Sequence, residues 1–179
     1  DRRFFEHPGI DIIGVLRAAL KNISGQGHEG ASTITMQVAR NFFLSSERTF
    51  KRKINEILLA IKIENSLSKE EILELYINQI YLGQRAFGFS AAANTYFNKS
   101  LAELNLAESA LLAGLPKAPS RYNPLVNPEL AIQRQQAVLR SMLRHGYIDN
   151  ATYQIALEEA IDLRDSVSKR ELKADYVAE

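Results

Sequence analysis

Apolar residues recur at helical spacing along most of the chain. Residues 10–20 carry them three and four positions apart, as an amphipathic helix does, and Ile34, Val38 and Phe42 continue this spacing further on. A longer helix is predicted over residues 47–65. Its predicted apolar face consists of Phe50, Ile54, Ile57, Leu58 and Ile61. Because strand-like alternation is scarce, the pattern predicts an all-α protein.

Capping signals divide the rest of the chain into further helices. The capping-box signature, a hydroxyl or amide residue followed three positions later by Glu, occurs at positions 68, 100 and 105. Asn127 and Pro128 begin a long helix that Gly146 ends. Asp149 begins the last helix, which we expect to reach Ile161. These start and stop signals predict roughly eight to ten helices.

Composition excludes several classes of protein. The 22 Lys and Arg nearly balance the 21 Asp and Glu, so the net charge of +1 gives no basis for nucleic-acid binding. The chain has no cysteine, which excludes disulfides and thiolate chemistry. It also lacks a run of about 18 apolar residues, the length that a membrane-spanning helix needs. The charge is locally uneven, however, because residues 40–53 hold five cations and one acid.

The segment from Gly30 to Glu56 carries the clearest chemistry. Its opening, G-A-S-T-I-T-M-Q, places hydroxyls and backbone amides at a helix start, and the cations follow it. Such groups together bind phosphate esters. The alternative is an ordinary helix cap followed by a solvated charged face, in which a surface pair such as Arg52 with Glu56 contributes only about 0.3–0.5 kcal/mol. The residues alone leave both interpretations open.

Five motifs, in order and correctly spaced, resemble one family. They are D-x-x-F-x-x-H-x-G at 1–9, G-A-S-T-I-T-M-Q at 30–37, R-K-x-x-E at 52–56, I-Y-L-G-x-x-x-x-G at 80–88 and L-A-G-L-P-K-A-P-S-R-Y-N-P at 112–124. Together they resemble glycosyltransferase family 51, the peptidoglycan glycosyltransferase domain of class A penicillin-binding proteins. The resemblance covers residues 1–160.

The resemblance implies a fold and a cellular setting. The fold is an all-α, lysozyme-like helical head with a small membrane-facing jaw lobe at roughly residues 10–50. The domain would span residues 1–165, and residues 166–179 would begin a linker to a transpeptidase region. The expected location is the periplasmic face of a bacterial inner membrane, with an anchor helix upstream of Asp1. Phe42, Phe43 and Leu44 are candidate lipid contacts.

The implied reaction is polymerisation of lipid II into glycan strands, with inversion and release of undecaprenyl diphosphate. A sugar hydroxyl needs a general base, whereas a diphosphate leaving group needs cations rather than a strong acid. The implied partners are lipid II, the growing glycan strand, the inner-membrane surface, other cell-wall synthesis proteins and moenomycin-type inhibitors. A lytic transglycosylase or muramidase of lysozyme-like fold, and a non-catalytic lipid II-binding fragment, remain alternatives.

The resemblance also implies roles for individual residues. Glu56 is expected to orient the cations, or to hold a divalent metal, Mg or Mn, on the diphosphate. Asp1 is expected to support the family's general-base Glu, which would directly precede it and is not in this sequence. Met36 stands where the family usually has Gln. The implied substrate-binding residues are Phe4, His7, Ser32, Thr33, Thr35, Gln37, Arg40, Arg48, Arg52 and Lys53.

Overall fold

The computed structural model describes residues 1, 3–25, 30–43 and 49–163, and these ranges form eight α-helices and no strand. The helices are α1 (Ile12–Ile23), α2 (Ile34–Phe43), α3 (Phe50–Glu64), α4 (Lys69–Gln79), α5 (Phe89–Phe97), α6 (Leu106–Gly114), α7 (Pro128–Arg144) and α8 (Asn150–Glu158). The all-α prediction is therefore confirmed. No helix within these ranges is long and apolar enough to cross a membrane.

Most predicted helix starts are found where the capping residues place them. Thr33 caps α2, because its hydroxyl oxygen accepts from the Met36 amide at 3.1 Å. The capping box at position 105 begins α6, whereas the one at position 100 begins only a three-residue 3-10 turn. Asp149 caps α8 as predicted, but that helix ends at Glu158, before the expected Ile161.

The first of two compact units spans Asp1–Gln79 and contains α1 to α4. Within it α2 packs against both α3 and α4. Its core centres on Phe4, Val38 and Ile72. Partly buried apolar residues surround these three: Ile34, Ile63, Leu67, Leu73, Leu75 and Tyr76. The segment before α1 is therefore held by core packing through Phe4.

The second unit spans Ile80–Glu179 and has a separate core where α6 and α8 pack on each other and on α7. Ala110, Leu139 and Ala156 form its centre. Near its start, the Tyr96 hydroxyl donates to the Leu82 carbonyl at 2.8 Å. Gly83 is required at this point, since its φ is +89° and a Cβ would lie 2.6 Å from the Tyr96 hydroxyl oxygen.

The apolar face predicted for α3 is not the face that the structure buries. Phe50 is 93% exposed, and Ile54 and Leu58 are also exposed. The buried residues of this helix are Glu56 and Ala60. Ala60 lies against Gly9 of the first motif, because a Cβ at Gly9 would be 3.2 Å from the Ala60 carbonyl oxygen. Hydrophobic spacing located the helix but could not show which of its faces is buried.

The domain boundaries stay predictions. Residues 166–179, the expected linker, lie outside the described residues. The expected jaw lobe at residues 10–50 falls within the first compact unit, which extends further, to Gln79.

Candidate functional site

Asp1 lies in a buried network at the start of α2. Its carboxylate is within 2.9 and 3.0 Å of His7 Nε2 and accepts from the Ile34 amide at 2.9 Å. The Asp1 side chain is only 3% exposed. Asp1 therefore joins the first motif to the first helical amide of α2.

His7 is buried, which favours the neutral form of its ring. Burial lowers its pKa, and the charge of Lys69 lowers it further, while Glu64 opposes the shift. A neutral imidazole has one N–H, and the Asp1 carboxylate accepts it from Nε2. The remaining nitrogen, Nδ1, is buried and has no hydrogen-bond partner in the part of the chain that the structure describes.

The two threonines of the second motif have internal partners. The Thr33 hydroxyl donates to the Gly9 carbonyl at 2.7 Å, in addition to capping α2. Thr35 is completely buried and donates to Glu64 Oε1 at 2.5 Å. The Thr33 hydroxyl thus holds the first motif against α2, and the Thr35 hydroxyl joins α2 to α3. Their predicted contacts with substrate stay predictions, as does that of Phe4, a core residue.

A second group of predicted site residues meets at Glu56. Lys53 Nζ donates to Glu56 Oε1 at 2.5 Å and to the Ser32 hydroxyl at 2.8 Å. Arg52 Nη1 lies 3.5 Å from Glu56 Oε2. Glu56 is 1% exposed, while the Lys53 side chain is 41% exposed. The solvated-face interpretation is therefore wrong for Glu56, which is a buried carboxylate beneath a more exposed ammonium group.

This group, which we call the Glu56 cluster (Ser32, Arg52, Lys53 and Glu56), carries more positive than negative charge. Arg52 and Lys53 bring two cations to one carboxylate. Arg52 Nε is buried and has no hydrogen-bond partner among the described residues. An unsatisfied donor and excess positive charge suit an anionic ligand with several oxygen acceptors.

The remaining predicted ligands are placed less closely. Gln37 and Arg40 are half-buried on α2. Burial raises the pKa of Tyr76, and the charge of Arg40 opposes this shift. Arg48 and Leu44 lie outside the described residues. Met36, which departs from the family pattern, is buried.

Glu56 does not fit the predicted role of a metal ligand. One of its carboxylate oxygens is bound by Lys53 and the other faces Arg52. Within the described ranges, no group of three or more His, Asp or Glu side chains could hold a metal ion. A cation on the substrate diphosphate would not need this carboxylate, and that cofactor stays a proposal.

Two residues that the sequence did not single out also contact the first motif. Glu64 ends α3 and accepts from Thr35, and Lys69 begins α4 and donates to the His7 carbonyl at 2.6 Å. Thr35 and Glu64 are 29 positions apart in the sequence, and His7 and Lys69 are 62 positions apart. No local pattern could predict contacts over such separations. The one available signal was a cation at the first position of a helix, where acids are favoured.

The motifs, the all-α fold and the cation-rich site agree with a family assignment. The family model described as Transglycosylase matches residues 1–143, a range that contains every predicted site residue. The chain belongs to this transglycosylase family.

Proteins similar to the chain include penicillin-binding protein 1A from several bacteria. The chain is 58% identical to penicillin-binding protein 1A of Neisseria gonorrhoeae and 54% identical to that of Pseudomonas aeruginosa, in both cases over its whole length. It spans 23% and 22% of the length of these relatives. The crystal structure of penicillin-binding protein 1A from Haemophilus influenzae matches 81% of the chain and 19% of its own chain, with 35% identity and a TM-score of 0.53. These similarities support the predicted fold class.

Proposed function

We propose that this chain is a peptidoglycan glycosyltransferase of cell-wall synthesis, which polymerises lipid II and releases undecaprenyl diphosphate with inversion. The observation that carries the proposal is the Glu56 cluster. In it a buried carboxylate holds Lys53, and Lys53 also reaches the Ser32 hydroxyl at the start of α2. The family assignment supports glycosyl transfer as the class of reaction.

The chemistry divides between the two groups of residues. The Glu56 cluster would bind the diphosphate of the donor and stabilise the charge that develops as it leaves. The acceptor hydroxyl needs a general base, and the family places a Glu directly before Asp1 for this purpose. Asp1 is held by His7 and by the Ile34 amide, so the preceding residue would be attached to a fixed point.

A hydrolase of finished glycan is the main competing function. A glycosidase expels an alkoxide and therefore needs a carboxylic acid beside the leaving oxygen. Glu56 is unsuited to that role, because it is enclosed by Lys53 and Arg52. Both of its carboxylate oxygens already face cations, Oε1 at 2.5 Å from Lys53 Nζ and Oε2 at 3.5 Å from Arg52 Nη1.

We further propose that α1 lies against the inner-membrane surface. Gly14 and Ala18 are the buried residues of this helix. Its large apolar residues are exposed: Ile12, Ile13, Val15, Leu16, Leu20 and Ile23. An exposed apolar face on an amphipathic helix is typical of a helix that lies in the membrane interface. Phe42 and Phe43 are exposed as well and could extend this contact.

The product formed from lipid II tests the reaction. The full-length protein is incubated with lipid II and, separately, with finished glycan strands. Polymer from lipid II supports the proposal, and its loss with a moenomycin-type inhibitor would support it further. Cleavage of finished glycan would instead show a lytic enzyme, and binding without either product would show a lipid II-binding protein.

A further inference from the structure

We infer that Lys69 and Glu64 are positioning residues for the transfer reaction, which fix His7 and, through His7, Asp1 and the residue before it. The inference rests on the proposed function. Neither residue belongs to the Glu56 cluster, and neither is expected to touch substrate.

Lys69 has three partners within the first unit. Its ammonium group donates to the His7 carbonyl at 2.6 Å and to Glu64 Oε1 at 2.7 Å. It also lies 4.6 Å from the centre of the Phe4 ring, within cation–π distance. Two residues of the first motif are thus held by one side chain from α4.

The position of Lys69 in its helix indicates why a lysine is found there. These contacts account for it, since a lysine at this position does not favour helix formation. Lys69 is the first residue of α4, where the helix dipole disfavours a cation. Its neighbours Glu70 and Glu71 are the acids that a helix start favours. The Lys69 side chain is nevertheless only 19% exposed, because it turns toward Glu64 and the first motif.

Glu64 connects this ammonium group to α2. Its Oε1 accepts from both Lys69 and the buried Thr35 hydroxyl. Gly9, which ends the first motif, packs directly on Glu64, since a Cβ at Gly9 would lie 3.0 Å from Glu64 Cγ. The last residue of α3 therefore supports both the motif backbone and the first turn of α2.

The contacts continue from His7 to the catalytic end of the motif. His7 Nε2 lies 2.9 Å from Asp1 Oδ1, and Asp1 also accepts from the Ile34 amide. A shift of His7 would therefore move Asp1 and the carboxylate expected before it. Lys53 and Glu56 bind each other independently of these contacts. Loss of Lys69 should consequently affect the chemical step more than substrate binding.

The test compares Lys69→Met, Lys69→Arg and the control Lys62→Met in the full-length protein. Lys62 is an exposed lysine of α3, so its substitution removes the same charge from the same region. For Lys69→Met we expect kcat for lipid II to fall roughly 10- to 100-fold, as for a misplaced catalytic group, with KM changed less than about twofold. Lys69→Arg should restore most of kcat, and Lys62→Met should behave as wild type.

Thr35→Val provides a second arm that removes one hydrogen bond without changing side-chain shape. If Lys69→Met fails to fold, a fall in kcat without a change in KM for Thr35→Val would still support the inference. If both fold, their effects on kcat should be less than additive, because both act through Glu64. Normal kcat in folded Lys69→Met and Thr35→Val would overturn the inference.

The nitrogen resonances of the His7 ring give a readout that needs no substrate. The charges that act on His7 are those of Lys69 and Arg3, which lower its pKa, and of Glu64, which raises it, with Asp1 hydrogen-bonded to the ring. Lys69→Met should therefore raise the pKa of His7, whereas Lys62→Met should not.

If the wild type makes no polymer, the proposed function fails. If the wild type makes polymer and Lys69→Met is equally active, only the positioning role fails.

Discussion

The burial of Glu56 changes the explanation for a charged residue at this position. Removing a carboxylate from water costs several kcal/mol, and its ion pairs often do no more than offset that cost. An apolar residue of similar size could serve stability at this position equally well. A carboxylate that is 1% exposed, with Lys53 and Arg52 around it, is therefore better explained by its effect on those cations than by stability.

We expect Glu56→Gln to abolish most polymerisation while the protein still folds. The amide keeps the side-chain shape but no longer balances Lys53 and Arg52, so the cations would meet the diphosphate differently. Loss of such charge stabilisation costs about 100- to 1,000-fold in kcat. Turnover of lipid II and the melting temperature are measured together, at a temperature well below the melting transition.

Glu108→Gln is the matched control for that experiment. Glu108 is also fully buried and accepts from a lysine, Lys99, at 2.7 Å, but it lies in the second unit and caps α6. The Glu108→Gln substitution should lower the melting temperature and leave turnover near that of wild type. If both substitutions had a similarly small effect on turnover, the role of Glu56 would be structural only.

Thr33 gives a prediction about stability. Thr33→Val removes the hydrogen bonds to the Gly9 carbonyl and from the Met36 amide, whereas Thr33→Ser can retain both. We expect the valine variant to lose about 0.5–2 kcal/mol in the free energy of unfolding, the usual effect of losing a helix cap. Urea denaturation measures this, and equal stability of the two variants would contradict the assigned role.

At the scale of helices, the sequence predicted the features that depend only on residues close together in the chain. The caps at Thr33, Asn105 and Asp149 each involve a partner three positions away, so their sequence signatures were sufficient. The buried face of α3 was not predictable in this way. Its exposed apolar residues keep a helical period, and burial is decided by which helices pack against it. The Lys69 contacts depend on the same packing.

The exposed face of α1 leads to a prediction about membrane binding. We expect Leu16→Gln combined with Leu20→Gln to weaken binding to vesicles of phosphatidylglycerol and phosphatidylcholine by about tenfold or more, since each buried leucine contributes about 1.5–3 kcal/mol. Ile155→Gln, which changes an exposed residue of α8, is the control. Cosedimentation with vesicles measures the difference, and unchanged binding of the double variant would rule out this face as the contact.

The capping carboxylates lead to a prediction about pH. Hydrogen bonds from Ser68, Ser100 and Thr152 lower the pKa of Glu71, Glu103 and Asp149 below their ordinary values of 4.5, 4.5 and 3.8, respectively. The unfolded chain therefore binds protons first as pH falls. The stabilisation is complete above the unfolded pKa values and is lost as pH falls through the folded ones.

Thermal unfolding between pH 3 and 6 tests this prediction. The melting temperature should fall with pH below the ordinary carboxyl range, and Glu71→Gln should make the fall smaller. Glutamine at this position can still accept from the Ser68 amide but does not titrate. An unchanged slope in the variant would show that the Glu71 cap does not contribute to acid sensitivity.

At the scale of the whole chain, the predicted chemistry falls in one compact unit. Every predicted site residue lies between Asp1 and Glu56, within the unit that ends at Gln79. The motifs at residues 80–88 and 112–124 lie in the second unit, which has its own core. The order of the motifs was sufficient to identify the family, but only the fold shows that Asp1 is tied to the start of α2.

That connection of Asp1 leads to the last prediction. We expect a chain extended by Glu before Asp1 to polymerise lipid II, and one extended by Gln at the same place to bind lipid II without polymerising it. The physical reason is that His7 and the Ile34 amide fix Asp1, so the added side chain starts from a defined position, and only a carboxylate can accept the proton of the acceptor hydroxyl. Both chains should melt at the same temperature, because Glu and Gln have nearly the same size and shape. Equal rates of polymer formation by the two chains would show that the general base lies elsewhere.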